Sequence, residues 1–170
     1  MNRIKKNNIA HSLYSLTPVI LLFISVLNEI DFNYSGLKYF SFNFAYILIF
    51  YYNLKKSEGL GFGLVFIAGL LNDVVIGMPI GLSSLIYLLL CGAASYLRNI
   101  TLRPNLMKDC IFFLMTILTL NSLSFLILTF IFSYELNYLD QVINIIFTFI
   151  FYLIFSYFFN LLEEFIRERS

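Results

Sequence analysis

Two apolar runs with no room for a loop between them constrain this chain more than any other feature. Residues 59–97 read GLGFGLVFIAGLLNDVVIGMPIGLSSLIYLLLCGAASYL, and the main interruption is Gly77-Met78-Pro79. Pro79 cannot continue a helix, because its ring clashes with the preceding turn and it has no N–H to donate. The stretch therefore predicts two helices, 60–77 and 80–97, joined by a very tight turn. On a wheel of 100° per residue, Gly59, Gly63, Asp73 and Gly77 fall within about 80° of one another. Gly69 lies at the edge of that stripe, and Phe66 and Leu70 lie inside it. On the second helix Gly81, Ser84, Leu85, Leu88, Gly92 and Ser95 share a face. Between helices in lipid there is little hydrophobic drive, so close backbone approach at small residues does much of the packing. The two faces are expected to meet, with Gly63, Gly69, Asp73, Gly77, Pro79 and Gly81 as the helix-packing set.

Composition places the pair in a membrane. The chain has 170 residues, of which 60% are hydrophobic and 12% charged, with a mean hydropathy of +0.85. This is the make-up of a compact polytopic membrane protein rather than of a soluble domain. An all-α bundle is expected, as a single integral membrane domain over residues 1–170. Six spans are read at about 13–30, 37–53, 60–77, 80–97, 110–132 and 139–162. The first follows a basic N-terminus (Arg3, Lys5, Lys6) without a small-residue cleavage site, so it is read as uncleaved. At 1.5 Å per residue the third covers roughly 25 Å, short of a hydrocarbon core of roughly 30 Å, which leaves a full crossing and a re-entrant pair both open. Lys and Arg then orient the bundle, since cytoplasmic loops carry their excess. With the N-terminus inside, ten fall on inner segments, among them Lys55, Lys56, Arg98, Arg103 and Lys108, and only Lys38 falls outside. Both termini are expected in the cytoplasm.

Several chemistries are excluded on residue grounds. Net charge is +1, and no basic patch is interleaved with aromatics, so nucleic acid is not an expected partner. Twenty Phe and twelve Tyr with no Trp are read as compositional bias. Cys91 and Cys110 sit in or beside spans with no pairing pattern and read as small apolar residues. His11 is alone, and a metal site needs several ligands. Gly59, Gly61 and Gly63 have the wrong spacing for a phosphate loop and no Lys-Ser/Thr after them. Gln141, Asn144, Thr148, Tyr152 and Ser156 form a polar stripe on the last span, read as interhelical hydrogen bonding. No nucleophile–base pair or carboxylate pair is present. Neither an enzyme nor a bound cofactor or metal is expected.

Asp73 is the acid that remains inside a span. By the rise of the helix it lies about 20 Å from the inner end of the third span, in the outer half of the bilayer. A charged side chain at the membrane centre costs about 2.5–3.5 kcal/mol on insertion scales, and such residues face the bundle or a wet cavity. Three readings fit: an acid that caps or bridges helices, a contact for a partner or lipid, and a station for ion or proton transport. The last lacks a second station, because no basic residue or further acid accompanies it.

The motif around it resembles a known family. Gly69-Leu70-Leu71-Asn72-Asp73, then Gly77, Gly81 and Leu85, matches the pattern G-L-L-x-D-x-x-x-G-x-x-x-G-x-x-x-L of the rod shape-determining MreD family at every position. The aromatic end of the second span, Ile47 to Tyr52, is similar to the family's as well. An Arg-Pro-Asp triplet common ahead of that span has no counterpart near Phe40-Ser41-Phe42-Asn43, and Lys55-Lys56-Ser57 stands where a Pro often follows it. The resemblance implies a non-enzymatic subunit of the bacterial inner membrane, part of the cell-elongation machinery. Its implied partners are an MreC-like protein, a RodA-type glycosyltransferase with its transpeptidase and, indirectly, MreB filaments. The family's fold is similar to the six-helix substrate-binding subunit of energy-coupling-factor transporters. That likeness supplies the rival reading, a subunit that captures a small vitamin-type solute; the outer loops read here are short for it.

Overall fold

The computed structural model describes residues 17–27, 42–55, 60–101, 105–134 and 137–169, with side chains to residue 162. Gly59, Lys56, Lys38, Arg103 and the N-terminal basic residues lie outside these. Six helices and no strands are present among the described residues. They are α1 (Thr17–Leu27), α2 (Phe44–Lys55), α3 (Phe62–Ile76), α4 (Leu82–Ile100), α5 (Leu106–Phe130) and α6 (Tyr138–Arg169). Two of them, α5 and α6, are long and apolar enough to cross a membrane, while α1 and α3 are shorter apolar helices.

Helix α2 sits at the centre. Ten of its twelve residues, Ala45 to Leu54, are buried. Its sequence is apolar all round, which suits either a core or a lipid-facing span, and here it is core. At 12 residues it is about 18 Å long, well short of a bilayer. The segment expected from residue 37 is helical only from Phe44 within the described residues. Asn43 starts it, its Oδ1 accepting the Tyr46 N–H at 3.2 Å, as a capping side chain does.

Helix α4 packs on α3, α2 and α5, and α6 packs against α5 and α2. Each of these outer elements shows one buried stripe: Phe113, Ile117 and Leu120 on α5, and Thr148, Tyr152, Ser156 and Phe159 on α6. Between them stands an aromatic cluster. Phe113 stacks on Tyr152 with centroids 4.1 Å apart, and Phe50 meets Phe113 at 4.9 Å and Tyr152 edge-on at 5.7 Å. The aromatic residues at the helix contacts are thus packing units, each such pair worth about 0.5–1.5 kcal/mol beyond burial.

Several polar groups within the bundle find partners, while the buried Tyr87 hydroxyl and Thr129 Oγ1 have no hydrogen-bond partner among the described residues. Thr148 Oγ1 accepts the Asn43 N–H at 2.9 Å and the Tyr51 hydroxyl donates to Asn160 Oδ1 at 3.0 Å, so α6 is tied to α2 by hydrogen bonds. On α5, Thr116 and Asn121 donate to their own helix, to Phe112 O at 2.7 Å and Ile117 O at 2.8 Å. A polar side chain that closes on its own helix can face hydrocarbon without an unmet donor. Arg98 extends from α4 to the end of α2, Nη1 donating to Asn53 O at 2.7 Å. That contact gathers Lys55, Arg98 and Lys108 at one end of the bundle, opposite the α3–α4 turn.

Candidate functional site at the α3–α4 hairpin

The turn is built by three residues with no freedom to be otherwise. Gly77 ends α3 at φ 73°, ψ 28°, the left-handed conformation that costs any other residue about 1–2 kcal/mol. The Asp73 carbonyl accepts the Gly77 N–H and the Met78 N–H at 2.9 Å, the closure typical of a helix ending on glycine. Pro79 follows, and its carbonyl accepts the Leu82 N–H at 3.2 Å. Gly81 then begins α4 at φ 101°.

A glycine at the start of a helix has no side chain to cap it, and α4 takes its cap from α3. Asp73 Oδ2 accepts the Gly81 N–H at 2.7 Å and Oδ1 accepts the Ser83 N–H at 2.9 Å. The carboxyl group is fully buried. It meets two of the four N–H groups that every helix leaves unpaired at its start, and an anion there is favoured by the helix dipole. Beside it Asn72 Nδ2 donates to Ser83 Oγ at 3.0 Å, and Ser84 Oγ donates to Phe66 O at 3.1 Å.

The helices cross at Gly69. A Cβ added there would run into the Ser84 backbone, within 2.6 Å of its nitrogen. The buried face of α3 is Val65, Ala68, Gly69 and Asp73. Gly63 lies roughly 150° round the helix from that face; it is exposed, with open space where a Cβ would stand. Phe66 is exposed too. The expected packing stripe through Gly63 and Gly77 is therefore rotated onto Gly69. Gly77, Gly81 and Gly92 likewise have nothing within 4 Å of an added Cβ. Gly77 and Gly81 serve through backbone conformation, not close approach, and of the face expected on α4 Ser84 is the residue at the crossing.

Two features escaped the sequence. Arg98 had read only as a marker of orientation, although a cation in reach of a helix C-terminus is a known cap. At the opposite end, the Tyr134 hydroxyl donates to Gly77 O at 3.4 Å, joining the connection after α5 to the α3–α4 turn. No pattern in the sequence pairs positions 57 residues apart.

Chemically, the hairpin holds itself. Both Asp73 oxygens are engaged by backbone donors, and no group of three metal-ligating side chains occurs among the described residues. Such a site defines a helical packing protein, apolar enough in α5 and α6 to cross a membrane. The chain belongs to the MreD family: the family described as rod shape-determining protein MreD matches residues 10–163. Membership implies a role in rod-shape determination. No curated protein and no solved structure matches the chain.

Proposed function

We propose that the protein is a multi-pass subunit of the bacterial inner membrane with both termini in the cytoplasm. It binds an MreC-like partner and so joins MreB filaments to peptidoglycan synthesis by a RodA-type glycosyltransferase and its transpeptidase. In this reading the chain passes through the membrane six times, in the manner of the substrate-binding subunits of energy-coupling-factor transporters, with the short α2 enclosed by protein rather than lipid, and the α3–α4 hairpin is a rigid element of the docking surface. The observation that carries it is the state of Asp73. An acid that moved an ion would need an oxygen facing a path. Both oxygens here hold the start of α4, which is a structural task. The gathering of Lys55, Arg98 and Lys108 at the end opposite the turn supports the orientation.

The test is co-purification of the MreC-like partner, with cell shape, for wild type, Asp73→Asn and Asp73→Leu. The amide keeps one acceptor and the leucine none, so partner capture should fall in steps, Asn retaining a good part and Leu little. Asn and Leu equally inactive in cells, with partner capture intact in both, would overturn the assembly reading.

A further inference from the structure

Behind the hairpin stands a buried hydroxyl that the cap does not use. Tyr87, on α4, is 1% exposed, and its Oη has no hydrogen-bond partner among the described residues. Its ring meets Tyr46 of α2 edge-on, with centroids 5.8 Å apart. That contact needs only the rings, and a phenylalanine would make it without taking a polar atom out of water. An unbonded hydroxyl in an apolar interior is costly, so its presence calls for a partner that the neighbouring side chains do not supply directly.

The register of α4 turns Tyr87 toward Asp73. Tyr87 follows Ser83 by four residues and Ser84 by three, so the three share a face of the helix. Helical side chains lean toward the N-terminus of their helix. At that end of α4 sits the Asp73 carboxylate, accepting the Gly81 and Ser83 N–H groups. Tyr46 and Tyr87 both lie within electrostatic reach of the carboxylate, yet Tyr87 Oη makes no hydrogen bond to it. A carboxylate accepts at about four positions, and the backbone donors fill two of them. Buried polar groups from three helices thus converge: Tyr46 from α2, Asp73 from α3 and Tyr87 from α4. A donor that faces an acceptor without bonding it is joined to it by water, and these three groups complete the two to four bonds that an internal water requires.

We propose that Tyr87, Asp73 and Tyr46 form a binding site for one buried water molecule. The water accepts from the Tyr87 hydroxyl and donates to the Asp73 carboxylate and to the Tyr46 hydroxyl oxygen. Tyr87 is then a positioning residue: through the water it gives Asp73 a third hydrogen bond. The backbone cap ties α3 to α4, and the water adds a polar link from both to the core helix α2. This role is independent of what docks on the hairpin.

Two measurements on the full chain test it. Thermal unfolding in detergent compares Tyr87→Phe, Asp73→Asn and the double variant, the phenylalanine keeping the ring contact with Tyr46. Tyr87→Phe should lower the unfolding temperature by a few degrees, and the drop should shrink in the Asp73→Asn background, where the acceptor is weakened. A hydroxyl without any bond predicts the reverse. Tyr87→Phe that is neutral or stabilising, or a drop of the same size in both backgrounds, overturns the proposal. The water itself is read by solid-state NMR in bilayers, as magnetisation passed from water to isotope-labelled tyrosine rings. Tyr87 Cζ should receive it, as should Tyr134, which is 40% exposed beside the α3–α4 turn. Asp73→Leu should abolish transfer to Tyr87 and leave Tyr134 unchanged. Transfer to Tyr134 with none to Tyr87 in the wild type overturns the bound water, and coupling to Asp73 would then mean a direct bond from hydroxyl to carboxylate.

Discussion

At the scale of single residues, the hairpin ranks its glycines by mechanism. Gly69→Ala drives a methyl into the Ser84 backbone, and overpacking of this kind costs about 1–3 kcal/mol or more. Gly77→Ala and Gly81→Ala meet no atoms but hold a left-handed residue, at about 1–2 kcal/mol. Gly63→Ala is open on all sides and improves helix propensity by up to about 1 kcal/mol. Thermal unfolding in detergent should therefore order the variants Gly69 lowest, Gly77 and Gly81 between, and Gly63 at or above wild type. A Gly63 variant as damaging as Gly69 would contradict the crossing point. For Asp73, each buried N–H left without an acceptor costs about 1–3 kcal/mol. Asp73→Asn strands one and Asp73→Leu two, so the same assay should show roughly twice the loss for leucine. Of this site the motif, the acid and its glycines were legible in the sequence. The rotation that makes Gly69 the contact was not, because a wheel locates small residues without saying which of them a neighbour touches.

At the scale of elements, α2 depends on its ends and on the rings around it. Arg98 holds the Asn53 carbonyl at the end of α2, a charged hydrogen bond worth about 1.5–3 kcal/mol. Arg98→Ala should lower amide-exchange protection in the last turn of α2 more than elsewhere, and Arg98→Lys, which keeps the charge, should restore part of it. Equal protection in all three would mean the contact does not stabilise the helix. Phe113 is fully buried between Phe50 and Tyr152, and Phe113→Ala should cost about 3–5 kcal/mol. Phe130, 78% exposed, should tolerate alanine with little change in the same unfolding assay.

For the whole molecule, orientation is the property to test. Asn105 and Asn137 flank α5 and α6, and cysteines placed there read the two ends of the bundle. Cys91 and Cys110 are buried and should stay unreactive to a membrane-impermeant maleimide. In intact cells Asn137→Cys should label and Asn105→Cys should label only after lysis. Labelling of Asn105→Cys from outside would invert or break the six-span arrangement, since the Lys/Arg asymmetry assigns that connection to the cytoplasm.

The sequence by itself determined the helical class, the tight hairpin at Gly77-Met78-Pro79 and the family. Each is written in local chemistry: apolar runs, a proline that stops a helix, a glycine that can turn left-handed, a spaced motif. Only the tertiary structure decided which apolar segment is the core. FAYILIFYYNLK in α2 and the second half of α5 are alike in having no continuous polar face, yet one is buried nearly all round and little of the other is. In water a helix declares its inward face by contrast with its polar side. A helix meant for lipid carries no such contrast, because hydrocarbon and protein interior accept the same side chains. What separates them is the set of neighbours, and those are assembled from positions far apart in the chain: Arg98 on Asn53, Thr148 on Asn43, Ser84 against Gly69.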